Sequence, residues 1–181
     1  MIFAHDTEVA LVSAAALVNT AGRQGELLGD IAALDDFYVA QRWTGRHDRT
    51  DDELRSVREL RPTLRRLWFA DEDEVVEIVN RLLRESRALP QLVRHDGWPY
   101  HLHATPSDAP LASRMAVEAA MGFVDVVRED ELGRLRTCEL DDCDNVLVDL
   151  SKNRSKRFCD AGCGNRAAVS AYRARKAAQR A

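Results

Sequence analysis

The sequence predicts a mainly α protein with a small β-hairpin, an α+β chain made of a helical N-terminal domain and a small C-terminal finger. Three observations carry this prediction. Apolar residues recur at helical spacing through most of the first 131 positions, and the period changes only between Pro90 and Pro106. All four cysteines are confined to residues 138–163.

The 181 residues suit a mid-sized domain with an appendage. A hydrophobic content of 45% is enough to bury a core. No run approaches the roughly 18–20 apolar residues of a membrane helix. The apolar N-terminal stretch carries His5, Asp6 and Glu8 without a basic segment ahead of them, which reads as folded chain and not as a signal peptide. A cytoplasmic protein with no membrane association is the expectation.

Thr7 can cap a first helix with Val9, Leu11, Val12, Ala15 and Val18 on its apolar side, ending near Asn19 and Gly22. A second helix is expected over 26–39, through Leu27, Leu28, Ile31, Leu34, Phe37 and Tyr38. Thr50-Asp51-Asp52-Glu53 is a capping box, in which the threonine hydroxyl and the glutamate carboxylate satisfy each other's backbone donors. Leu54, Val57, Leu60, Leu64, Leu67 and Trp68 follow as a stripe, and Pro62 should kink or restart that helix, because proline brings no donor. Asp71 opens a fourth helix with Val75, Ile78, Val79 and Leu82. Residues 92–103 read as a hairpin turning at Asp96-Gly97, and Pro110 suits the start of a long helix over 111–131. The class of sequence changes at Gly133, which divides the chain into 1–132 and 133–181.

The net charge of -4 hides an asymmetry. Residues 150–181 hold nine lysines and arginines against one acid, a balance of +8, so the preceding 149 residues carry -12. An acidic body with a basic end presents one face to a polyanion, and the body can also dock the basic end in the unbound state.

Cys138, Cys143, Cys159 and Cys163 form two close pairs with 15 residues between them, the spacing of a treble-clef or ribbon-like zinc site. Each pair grips the ion from a turn, and the interval folds as a short hairpin with a strand at Val146-Leu147-Val148. Four thiolates leave no position for water, so such a zinc is structural and not catalytic. An iron–sulfur cluster and unmetallated thiols are the alternatives, although the wide first pair departs from the common ferredoxin runs. Beyond Cys163 lies an alanine-rich, helix-favouring segment. Arg166, Arg173 and Lys176 share one of its faces, and Val169 and Tyr172 are expected to pack on the knuckle.

Cys163-Gly164-Asn165-Arg166, together with the run from Ser151 to Cys159, resembles the C-terminal zinc finger of the CGNR family. Ala16-Leu17-Val18-Asn19-Thr20 is similar to the Leu-x-Asn-Thr motif of the ABATE domain, the mostly helical module that precedes that finger. The resemblance implies a bacterial transcription regulator, responsive to stress or to a ligand. The chain departs from the family at Phe158, where tryptophan is usual, at Lys156 for arginine, at Ala168 for a frequent lysine, and at Pro62. None of these is a metal ligand.

The expected function is therefore binding of nucleic acid, double-stranded DNA first, through Lys152, Arg154, Lys156, Arg157, Asn165, Arg166, Arg173, Arg175 and Lys176. Most of these suit phosphate contacts. Asn165 and Arg166, at a helix start, can also read base edges. A helix cap is the competing role for Asn165, and an ion pair to Asp149 or Asp160 for Arg166. Asn19 and Thr20 could line the site of a small-molecule effector or simply end the first helix. A homodimer is compatible with either. His101 and His103 fall on one strand face with no third metal ligand in view, and Trp43, Trp68 and Trp98 read as core or pocket wall. No nucleophile elbow, phosphate loop or paired carboxylates stands out, so no enzyme is expected. The alternative is an RNA-binding or protein-interaction module with the knuckle as scaffold.

Overall fold

The computed structural model describes residues 2–23, 25–94, 97 and 99–179. Four helices form the body around one more, α5 (Leu111–Arg128). They are α1 (His5–Val18), α2 (Ile31–Ala40), α3 (Asp51–Arg66) and α4 (Glu72–Glu85). Helices α1, α3 and α4 pack directly on α5, and α2 leans on α3. Leu11, Leu17, Val57, Leu64, Val75, Ile78 and Phe123 are fully enclosed between them.

Several helix ends differ from local expectation for identifiable reasons. Thr7 lies inside α1, buried, and its hydroxyl donates to the Asp125 carboxylate of α5 at 2.5 Å, a partner that sequence spacing cannot reveal. Helix α2 starts later than expected because Asp30 caps it, accepting from the Ala33 N–H at 2.8 Å. The preceding residues form a short ribbon of β1 (Ala21–Gly22) and β2 (Gly25–Glu26).

Thr50 caps α3 through the Glu53 N–H at 3.2 Å, as the capping box predicts. The Glu53 carboxylate does not close the box. It accepts instead from the N–H groups of Asp48 and Arg49 and meets His47 Nδ1 at 2.7 Å. Pro62 neither breaks nor restarts the helix, which runs through it from Asp51 to Arg66. Proline leaves the Arg58 carbonyl without its usual donor, and Arg61 Nε supplies one at 3.2 Å. Asp71 caps α4 as predicted, accepting from Glu74 N–H at 2.9 Å.

Strands β3 (Gln91–Val93) and β4 (His101–His103) pair antiparallel with Val93 opposite His101. The connection between them is longer than a two-residue turn; Asp96 of the expected Asp-Gly turn, and Trp98, lie outside the described residues. His103 meets Glu118 at 2.7 Å and His101 Nε2 at 3.1 Å.

After α5 the chain turns at Asp130, at φ 54, into a 3-10 turn over Leu132–Arg134. Gly133 is thus part of a packed turn, whose Arg134 is buried and ion-paired with Glu131 at 2.7 Å. The finger follows: β5 (Leu135–Thr137) pairs with β6 (Val146–Val148), and α6 (Cys163–Ala178) closes the chain.

Every residue of β6 is buried. Val146 and Val148 enter the core of the helical body, while Leu147, pointing the other way, joins the cysteines. The body also grips this strand through its backbone. Trp68 Nε1 donates to the Leu147 carbonyl at 3.0 Å, and Asn19 both donates to the Val146 carbonyl and accepts from its N–H, each at 2.8 Å.

Candidate metal centre and nucleic-acid face

The four cysteines arrive from two places. Cys138 and Cys143 flank the knuckle between β5 and β6, so the hairpin encloses the first pair and is not built from the interval between pairs. Cys159 ends a loop, and Cys163 is the first residue of α6. Gly162, at φ 78, makes the left-handed turn between them, a conformation that a side chain would resist. The four Sγ atoms lie within 4.8 Å of one another, and no disulfide joins any of them. Cys159 Sγ is 3.7 Å from that of Cys143 and 3.4 Å from that of Cys163. Thiolates around a tetrahedral zinc, with bonds of about 2.3 Å, sit about 3.8 Å apart.

The donor chemistry agrees with the geometry. Burial pushes the Cys143 thiol up to about 12, and burial raises Cys163 as well. Cys159 moves down: burial opposes its ionisation, but the Ala161 N–H and the Asn145 amide favour the thiolate. Thiols so enclosed become thiolates together only around a cation. Groups that support thiolate ligands are already in place. The Asn145 amide reaches Cys159 Sγ at 3.4 Å, the Cys159 N–H reaches Cys138 Sγ at 3.4 Å, and Arg166 Nη2 reaches Cys163 Sγ at 3.0 Å. The chain holds a structural zinc ion through Cys138, Cys143, Cys159 and Cys163.

Arg166 does more than approach one sulfur. Its other nitrogen pairs with Asp142 at 3.0 Å, so a single guanidinium ties α6 to the knuckle. The anticipated partners, Asp149 and Asp160, are engaged elsewhere. Asp160 pairs with Lys156 at 3.0 Å. Asp149 is wholly buried and shapes the basic loop, accepting from the Ser151 hydroxyl and N–H and from the Lys156 N–H at 2.5–2.9 Å. Although burial opposes its ionisation, those bonds and Arg136 hold its carboxyl below the usual range. Sequence reading missed this role; the Asp149-x-Ser151 spacing of an Asx-type turn was the available sign.

The basic residues divide into two sets. Arg154 pairs with Glu131 at 2.7 Å and Arg157 with Glu139 at 2.6 Å, joining the paired Lys156 and Arg166. Lys152, Arg173, Arg175 and Lys176 make no ion pair among the described residues, and the Asn165 side chain no hydrogen bond. Helix α6 itself buries only Cys163. Val169 and Tyr172 do not pack on the knuckle; they are 41% and 58% exposed. The acidic body does not dock this helix either, since residues 168–179 are exposed throughout.

The side chains of Asn19 and Thr20 are engaged within the fold. Both polar groups of Asn19 are taken by Val146, and the buried Thr20 hydroxyl donates to the Leu17 carbonyl and accepts from Arg61 at 3.0 Å. The knuckle is gripped nearby by Arg23, whose N–H meets Asp144 at 3.1 Å, and by Arg65, which donates to the Asp144 carbonyl. A Cβ at Gly22 would come within 2.9 Å of that Asp144 carboxylate, which would have to shift to admit it. Of the tryptophans, Trp68 is core and Trp43 walls a small cavity between α1 and α5 with about 10 Å³ of room, enough for about one water.

Fold and site together define a helical domain fused to a four-thiolate structural zinc finger that ends in a free basic helix. The ABATE family model, whose description reads "Putative stress-induced transcription regulator", matches residues 12–130, and the CGNR zinc finger model matches residues 134–176. The chain belongs to the ABATE family and carries a C-terminal CGNR zinc finger. No curated protein matches it. Among the described residues no helix is long and apolar enough to cross a membrane.

Proposed function

We propose that this protein is a cytoplasmic, non-catalytic transcription regulator that binds double-stranded DNA through the finger. In this reading, residues 133–181 contact the nucleic acid, and residues 1–132 receive a signal or join two copies of the chain. One observation carries it. A 16-residue helix, fixed at its first residue by a zinc ligand, is exposed throughout from residue 168 on, and it presents Arg173, Arg175 and Lys176 without internal partners. A helix of about 24 Å whose contacts with its own chain are confined to its first turn gains little from folding beyond that turn, and the major groove accepts such a helix. Lys152, on the adjoining loop, adds a fourth unneutralised cation. Arg154, Lys156 and Arg157 can join only by exchanging carboxylate partners for phosphates, an exchange that costs little at exposed pairs.

Fluorescence anisotropy of a 24-base-pair duplex, titrated with zinc-loaded protein across a salt series, tests the reading. Four phosphate contacts give a slope of about -3.6 in log affinity against log salt. Charge reversal of Arg173 and Arg175 together should abolish binding. Equal affinity for single-stranded RNA, or no binding at low salt, would transfer the finger to the scaffold reading.

A further inference from the structure

Asn165, Val169, Tyr172, Arg173 and Lys176 recur at three- and four-residue intervals along α6, so they line one face of the helix. All five side chains are exposed. The face is mixed in an ordered way. The exposed apolar residues Val169 and Tyr172 occupy its middle, cations flank them toward the C-terminus, and an amide stands at the N-terminal end. A solvent-facing helix serving only as a phosphate clamp has no use for exposed valine and tyrosine inside its cationic stripe. A helix that enters a groove does, because apolar side chains there meet the thymine methyl group.

Arg166 is removed from this task by its own contacts. It donates to Cys163 Sγ and to Asp142 of the knuckle, so reading a base would require breaking the brace that ties α6 to the knuckle. Asn165, its neighbour, has no such engagement.

We propose that α6 reads A·T base pairs in the major groove through Asn165 and Val169, with Arg166 acting only as a positioning residue. This rests on the duplex-DNA reading above. The Asn165 amide has one donor and one acceptor to offer the adenine N7 and N6 edge, and Val169, one turn further along, lies against the 5-methyl of thymine. Arg173 and Lys176 hold the phosphates on either side of the groove and set register without sequence information. Tyr172 covers the wall of the groove beside Val169.

The experiment compares three 24-base-pair duplexes on the full-length zinc-loaded protein: alternating dA·dT, the same duplex with deoxyuridine in place of thymidine, and alternating dG·dC. Deoxyuridine removes only the major-groove methyl. The expected result is a several-fold loss of affinity on that substitution, and a further loss on dG·dC. Val169→Ala, an exposed change that leaves the fold intact, should bind the thymidine and deoxyuridine duplexes equally. Asn165→Ala should lose the preference for dA·dT over dG·dC, whereas Arg173→Ala should weaken all three alike. Arg166→Lys should keep the discrimination while lowering zinc retention against a chelator, which a base-reading arginine would not do. Salt-dependent binding with equal affinity for thymidine and deoxyuridine duplexes overturns the assignment and leaves duplex binding standing. Absence of binding to any duplex at low salt overturns both.

Discussion

Strand β6 and helix α6 belong to the same finger and have opposite fates. Each of the three residues of β6 is buried, two against the helical body and one against the cysteines. Helix α6 has more than five times as many residues and buries only its first. One element thus makes the finger part of the body, while the other stands exposed. The contrast teaches that the zinc ion sits at a junction. It clamps a strand that completes the body's core to a helix that contributes nothing to it.

The largest expected effect follows from the β6 side. Because Val146 and Val148 complete the main core, metal removal should destabilise the helical body along with the finger, in one cooperative transition. A chelator, or Cys159→Ser, is expected to lower the melting temperature of the whole chain by calorimetry. An unchanged main transition with only the finger lost would break the comparison at its root, and would restore the independent N-terminal domain that the sequence suggests. Acidification acts the same way. The thiols of Cys143 and Cys163 lie above their ordinary value, so protons compete strongly for the ligands and zinc affinity must fall as pH falls. A zinc-release titration should show loss on the acid side and none toward neutral pH.

Next in size is the backbone clamp. Asn19→Ala leaves the Val146 N–H and carbonyl unpaired in a largely buried setting, at a cost of about 2–3 kcal/mol. Urea denaturation measures this directly, and a loss below about 0.5 kcal/mol would mean that Asn19 is only a helix terminator.

A smaller effect is expected at Glu26, which holds Arg61 against Thr20. The hydrogen bonds from Arg61 keep its carboxyl below the ordinary 4.5 in the folded chain. The stability it contributes is therefore present above that unfolded value and lost as pH falls through the folded one. Glu26→Gln should lower stability at neutral pH and flatten the acid limb between these points, leaving no difference from the parent chain below the folded value.

The smallest effect on stability belongs to α6. Truncation after Ala167 should leave the melting temperature nearly unchanged, since exposed residues away from special features contribute within about 0.5 kcal/mol. Affinity for DNA should disappear with it. Within the same region, Glu139→Gln releases Arg157 from its carboxylate and should tighten duplex binding modestly. Weaker binding would show that Glu139 orients Arg157 for the phosphate instead of competing with it.

The parts legible in the sequence were those governed by local chemistry. Thr50 and Asp71 cap their helices because the donor they satisfy lies three residues away. The metal centre was legible because four thiolates in two close pairs have one common use in a chain of this kind. The basic segment was legible as charge, and the cysteine spacing predicted where its helix begins. Other expectations failed where a distant partner intervened. Thr7 was drawn inward by Asp125, and Pro62 was tolerated because Arg61 serves the carbonyl it leaves, whereas Asn19 ends α1 as expected and also clamps β6.

By itself, then, the sequence determined the helical body, the four ligands and the polarity of charge, because propensity, capping and ligand spacing act over a few residues. Only the tertiary structure decided which basic residues are free, that Arg166 braces the finger while Asn165 does not, and that β6 fuses the two parts. Those outcomes depend on which carboxylates and backbone groups come within about 3 Å after folding, and no local pattern encodes that distance.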